Sequence, residues 1–178
     1  MSIYDNFSEQ ELQILQERTE RAARLTSEND EQSISAALTV TLGHEVFALP
    51  ISELRAVYVD VPVVPVPCVP SYVAGIANIR GRIMPVLNLT ILLDVPKAAA
   101  SKLGTLIVAA NDDISIAFAV EAIKDTIAIQ TNKLSSLSSD VTAAKAKYLQ
   151  GLLVDDIALV DVQAILNDPQ LQVNETVS

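Results

Sequence analysis

From Ala36 onward the hydrophobic positions fall into short runs of period two. Leu38, Val40 and Leu42 alternate with Thr39 and Thr41, the spacing of a half-buried strand. Gly43-His44-Glu45 punctuates that run, residues 46–49 supply a hairpin partner, and residues 54–61 form a third strand. Pro62, Pro65, Pro67 and Pro70 follow. Each removes a backbone donor and fixes φ, so this stretch is an extended connector. Two further apolar runs, residues 76–79 and 83–87, flank Arg80-Gly81-Arg82. The pair predicts a β-hairpin whose glycine supplies the positive φ of a tight turn. Residues 89–93 predict one helical turn, and residues 97–101 a loop of small residues.

Ahead of the strands, residues 8–25 predict a helix. Ser8 and Glu11 form a capping box, and Arg18, Arg21 and Arg24 lie toward the negative end of the helix dipole. Its apolar stripe, Leu12, Leu15, Ala22 and Leu25, is thin. The helix is therefore a peripheral element or a surface for a partner. A polar, acidic linker follows at residues 27–33. The chain thus divides into a helix and linker at 1–35, a strand-rich domain at 36–167 and a frayed tail at 168–178.

The second half repeats the first. At an offset of 69 residues Leu38 meets Ile107, Phe47 meets Ile116, Leu49 meets Phe118 and Leu54 meets Ile123. Farther on, Tyr72-Val73-Ala74-Gly75-Ile76 resembles Tyr148-Leu149-Gln150-Gly151-Leu152, and Val86-Leu87-Asn88-Leu89 resembles Leu159-Val160-Asp161-Val162. The offset falls from 76 to 73 across the second hairpin, which is three residues shorter. Similarity over this span predicts two lobes of one topology. Each holds about five short strands, too few for a sandwich but suited to a small barrel that hides its edges. Residues 132–147, polar and then Ala/Lys-rich, predict a loop with a short helix.

Composition narrows the possibilities. Hydrophobic residues make up 50% of the 178 positions but aromatics only 4%, so Val, Ile, Leu and Ala must build the core, and β-branched residues favour strands. A formal charge of −10 argues against nucleic acid or an anionic membrane as partner, since both need clustered Lys and Arg. No apolar run reaches the ~18 residues of a membrane span, and the polar, acidic first residues lack a signal-peptide profile. The single cysteine, Cys68, leaves no internal disulfide. These features predict a cytoplasmic protein.

The catalytic inventory is poor. His44 is the one histidine and sits at a predicted turn. Cys68 lies among prolines with no basic neighbour to lower its pKa, and one His with one Cys falls short of a zinc ligand set. Asp112-Asp113 and Asp155-Asp156 fall between strands, where Asp is a common turn former. If brought together in a cleft between the lobes, they would instead make a carboxylate site for a metal or small ligand. No cofactor is implied. The Arg80-Gly81-Arg82 tip stands apart, because Gly75, Asn78, Gly81 and Pro85 place four residues with strong backbone roles within eleven positions. Asn78 can brace the turn with its side chain, and Pro85 keeps its strand at an edge or bulge. An arginine on a rigid hairpin suits recognition of a carboxylate on another protein.

At these residues the sequence resembles the CheW family of chemosensory adaptors. The likeness runs from about Ala36 to Leu166. It rests on Phe47-Ala48-Leu49-Pro50-Ile51, the proline-rich connector, Gly75-Ile76-Ala77-Asn78-Ile79-Arg80-Gly81 and Pro85-Val86-Leu87. The resemblance implies a mainly β fold of two SH3-like five-stranded barrels with a shared core, here with an added N-terminal α-helix. It implies a non-enzymatic scaffold joining the cytoplasmic tip of a methyl-accepting chemoreceptor to the regulatory domain of a CheA-type histidine kinase. It carries partner binding onto Leu54, Gly75 and Arg80, to which the hairpin residues Asn78, Gly81 and Arg82 add. Two departures stand out. Ala56 occupies a position commonly Glu in the family, and Asn88 and Thr90 occupy positions commonly Asp and Arg. With the extra helix, they suggest a divergent member, for example of a type IV pilus or other specialised chemosensory system.

Overall fold

A computed structural model describes residues 34–98 and 102–171. The predicted helix at residues 8–25, part of the loop at 97–101 and the end of the tail lie outside them.

The described chain is built from strands: β1 (Ile34–Leu42), β2 (Glu45–Pro50), β3 (Leu54–Val59), β4 (Val63–Val64), β5 (Val73–Ile79) and β6 (Arg82–Asn88), then helical turn α1 (Leu89–Leu92). The second half adds β7 (Thr105–Ala110), β8 (Ser115–Val120), β9 (Ala122–Gln130), α2 (Ala143–Ala146), β10 (Leu149–Leu152), β11 (Ala158–Val160) and α3 (Val162–Leu166). They form two sheets, ordered β10-β11-β2-β1-β9 and β3-β7-β8-β6-β5-β4.

The repeat seen in the sequence is reproduced strand for strand, but the barrels are not the two halves of the chain. The hairpin that opens each repeat joins the last strands of the other repeat. In the first barrel β1-β2 pairs with β9 and, in parallel, with β11. In the second, β7-β8 pairs with β3 and, in parallel, with β6. Even the registers correspond. Leu38↔Leu49 answers Ile107↔Phe118, Ala48↔Leu159 answers Ala117↔Val86, and the bulge that skips Arg55 in β3 recurs at Lys124 in β9. Pulling the barrels apart would break sheets rather than a single linker, so the exchange makes one rigid body.

Each barrel closes through the chain that follows its edge strand. β4 continues from β3 after three residues and pairs with β5 at the opposite edge. In the first barrel Ser135 plays this part, exchanging two backbone hydrogen bonds of 2.9 Å with Leu152. The first sheet has the five strands expected, and β4 makes the second six.

The alternation along β1 does not separate core from solvent. Leu38, Val40 and Leu42 face the core between the barrels, but Ala37 and Thr39 are also buried, because their face lines the inside of the first barrel. Thr39 is satisfied there: its hydroxyl donates to the Asp125 carbonyl at 3.0 Å and accepts from the Asp125 N–H at 2.9 Å. The largest core cluster draws on both barrels and both capping turns, with Leu89 and Leu93 on one side and Val162, Ile165 and Leu166 on the other. Smaller clusters fill each barrel. Equivalent side chains cap the turns. Asn88 accepts from the Ile91 N–H at 3.3 Å and Asp161 from the Ala164 N–H at 3.0 Å. Asn88 therefore caps its turn as Asp161 caps the matching one. Thr90 is buried, with a hydroxyl that has no hydrogen-bond partner.

The tail expectation needs correcting. Residues 168–171 are not frayed: Asp168 and Leu171 are buried, and Leu171 joins the central core. Asp168 accepts from the Tyr148 hydroxyl at 2.7 Å, the Lys147 ammonium at 2.6 Å and the Gln170 N–H at 2.9 Å. Tyr72, the repeat counterpart of Tyr148, donates to the Gln170 carbonyl at 3.2 Å. A tyrosine from each repeat thus pins the segment. The polar run Asn167-Asp168-Pro169-Gln170 carries no hydrophobic periodicity from which to read this.

Candidate partner-binding surface

The β5–β6 hairpin places Arg80 and Arg82 at an exposed tip whose turn is braced from within. Ile79 pairs with Arg82, leaving Arg80 and Gly81 as a two-residue turn with φ of +52° and +81°. Two successive positive φ values mark the turn whose twist matches flanking strands. The Asn78 side-chain oxygen accepts the Gly81 N–H at 2.9 Å, the brace expected from its position. Arg82 opens β6 and is exposed. The Arg80 guanidinium lies 6.0 Å from the ring centre of Tyr58 on β3, a cation–π contact that steadies an exposed cation. Gly81 itself has open space where a Cβ would stand, so only its φ constrains it. Gly81→Val is expected to cost roughly 1–2 kcal/mol of stability through that backbone term, read as a lowered melting temperature. An unchanged melting temperature would show that the turn tolerates a side chain.

The apolar surface beside the tip is less obvious from sequence. Cross-strand pairs share a face, so Ile83 with Asn78, and Pro85 with Ile76 and Val64, point one way. Ala77, Ile79, Met84 and Val86 point the other way into the barrel. Ile83 is 62% exposed and Val64 58%, forming an outward apolar strip that ends at the arginines. In the sequence, residues 83–87 are apolar throughout, and such a run does not reveal which members face out.

Leu54 and Gly75 are placed differently. Leu54 is 7% exposed and packs in the core between the barrels. Gly75 is buried at a bulge in β5, and a Cβ there would run into the Val64 carbonyl. Both shape the second barrel from within, whereas Asn78, Arg80, Gly81 and Arg82 form its exposed tip.

The four turn aspartates do not converge. Asp112 and Asp113 sit in the β7–β8 turn, where Asn111 accepts the N–H groups of Asp113 and Ile114 at 2.9 Å. Asp155 and Asp156 lie in the β10–β11 link at positive φ and line a groove that Asp112 and Asp113 do not touch. Among the described residues no three His, Cys, Asp or Glu side chains cluster as a metal site. His44 is exposed in its turn, and Cys68 is exposed at positive φ. No helix among these residues is long and apolar enough to cross a membrane.

Two interlocked SH3-like barrels presenting an exposed, braced hairpin are the architecture of a protein-interaction scaffold. The CheW-like domain matches residues 36–170, and the chain belongs to that family. It is 26% identical over 151 residues to the chemotaxis protein CheW of Treponema pallidum, covering 81% of this chain and 88% of that one. It is 28% identical over 134 residues to the chemotaxis protein CheW of Thermotoga maritima, covering 74% and 87%. The crystal structure of the scaffolding protein TtCheW from Thermoanaerobacter tengcongensis superposes with a TM-score of 0.61 at 25% identity. That match spans 72% of this chain and 88% of the other.

Proposed function

We infer that this protein is a cytoplasmic, non-enzymatic adaptor that couples chemoreceptors to a CheA-type histidine kinase. Membership of a scaffold family supports the role. The observation that carries it to particular residues is the braced, exposed Arg80–Gly81 turn beside an outward apolar strip. A guanidinium whose turn is fixed before binding loses little entropy on meeting a carboxylate, and the strip adds apolar area to burial. Asn78, Gly81 and Arg82 complete that grip, with Leu54 and Gly75 holding the barrel in shape behind it. The interlocked sheets let one body hold receptor and kinase at a fixed separation. Single contacts of this size are weak and gain strength through repetition in an array.

Arg80→Ala is expected to weaken binding of the kinase regulatory domain by about 2 kcal/mol, roughly 30-fold. The loss of the Tyr58 contact should change stability by less than about 1 kcal/mol. Titration calorimetry with the purified regulatory domain reads the first and a melting curve the second. Unchanged affinity for both kinase and receptor would remove Arg80 from the interface.

A further inference from the structure

A second surface lies on the first barrel, away from the arginine hairpin. It is an open groove of about 970 Å³ between the strands of that barrel and the segment 131–147. Half-buried Leu137, Val141, Leu152 and Ile157 give it an apolar floor, and Asp140, Asp155 and Asp156 lie along its rim. The second barrel has no segment corresponding in length to 131–147, because a short connector with three prolines, Pro65, Pro67 and Pro70, runs straight from β4 to β5.

We propose that this groove is the docking site of the chain's own residues 8–25. Three observations converge on that occupant. The first is reach. Eight residues, 26–33, join the segment to β1, which lines the groove at Thr39. From Ile34 to Thr39 is about 17 Å along the strand, and the nine residues from Leu25 to Ile34 span up to about 30 Å, enough to double back. The second is shape of the apolar pattern: Leu12, Leu15, Ala22 and Leu25 make a thin stripe, which a narrow apolar floor can cover and a broad sheet face would not need. The third is charge. Arg18, Arg21 and Arg24 outnumber Glu17 and Glu20 in the second half of the segment, and the five carboxylates lining the groove outnumber Lys124 and Lys145. A tether this short raises the local concentration to the millimolar range, so modest contacts suffice for docking in cis. The groove and the hairpin belong to different barrels, so docking leaves the arginine tip available.

Hydrogen exchange on the full-length chain tests this. Amides of residues 137–141 and 155–158 are expected to exchange about tenfold more slowly in the native chain than in the Leu12→Asp, Leu15→Asp double variant, at every protein concentration. Arg18→Glu, Arg21→Glu and Arg24→Glu together should produce the same loss of protection. All five substituted positions precede the barrel strands in sequence, so a retained melting transition separates undocking from unfolding. Equal exchange in all three chains would overturn the proposal. So would protection that grows with protein concentration, which identifies a second copy, or protection that arises only when kinase or receptor is added, which identifies a separate protein.

Discussion

Gly75→Ala is expected to destabilise the fold by on the order of 3 kcal/mol. Gly75 has φ +148°, a backbone conformation that side chains oppose, and the Val64 carbonyl occupies the space a Cβ would need. The reason is architectural. Gly75 sits at the bulge where β4 crosses to close the second barrel. The repeat places Gly151 at the matching bulge, with the Ser135 carbonyl 2.9 Å from where its Cβ would lie. Each closing strand passes so near that only hydrogen fits. Chemical denaturation checks the magnitude, and binding measured on the folded fraction separates shape from contact. Lost partner binding with an unchanged midpoint would make Gly75 part of the interface.

The second large effect concerns Asp168. Burial alone would raise its pKa, but the Lys147 ammonium, the Tyr148 hydroxyl and the Gln170 N–H outweigh that and hold it below the ordinary value of 3.8. Asp168→Ala removes a buried acceptor and leaves the Tyr148 hydroxyl unpaired, at a cost of about 2 kcal/mol. Asp168→Asn keeps an acceptor for Tyr148 and should cost less. The sign with pH follows from the lowered carboxyl. Its stabilisation is complete above the unfolded pKa near 4 and is lost as pH falls through the lower folded value. The gap in stability between native chain and alanine variant should therefore shrink in acid, below about pH 4. At the other extreme, burial and then the Asp168 hydrogen bond push Tyr148 up to about 12 from 10.0. Stability from keeping that hydroxyl protonated is lost as pH rises from 10 toward 12. Denaturation midpoints across both ranges check these signs, and a gap constant down to pH 2 would contradict the first.

The strands, the hairpin turn and the repeat were legible in the sequence because each depends on local chemistry. Alternation set β1, Gly81 and Asn78 set the turn, and paired offsets of 69, 76 and 73 residues set the order of elements within each repeat. The exchange of hairpins was not legible. Leu38 has the same apolar character whether it pairs with its own repeat or the other, and only the registers Leu38↔Thr126 and Val57↔Ile107 decide. The site divided along the same line. Arg80 and Asn78 announced themselves by turn chemistry, whereas Ile83 and Val64 are exposed members of apolar stretches whose orientation depends on pairings far along the chain. Leu54, in a strand of mixed character, turned inward to the core between barrels. The docking of residues 168–171 was not legible, because its anchor is one buried carboxylate and two tyrosines brought together from residues 72, 148 and 168.

The most direct test is reconstitution from purified parts: sedimentation of chemoreceptor cytoplasmic fragments with a CheA-type kinase, with and without this chain. Kinase carried down with the receptor only when the chain is present, and much less with the Arg80→Ala chain, is the expected result. Kinase recovery that is the same with the native chain, with the variant and with neither would contradict an adaptor that grips through its hairpin.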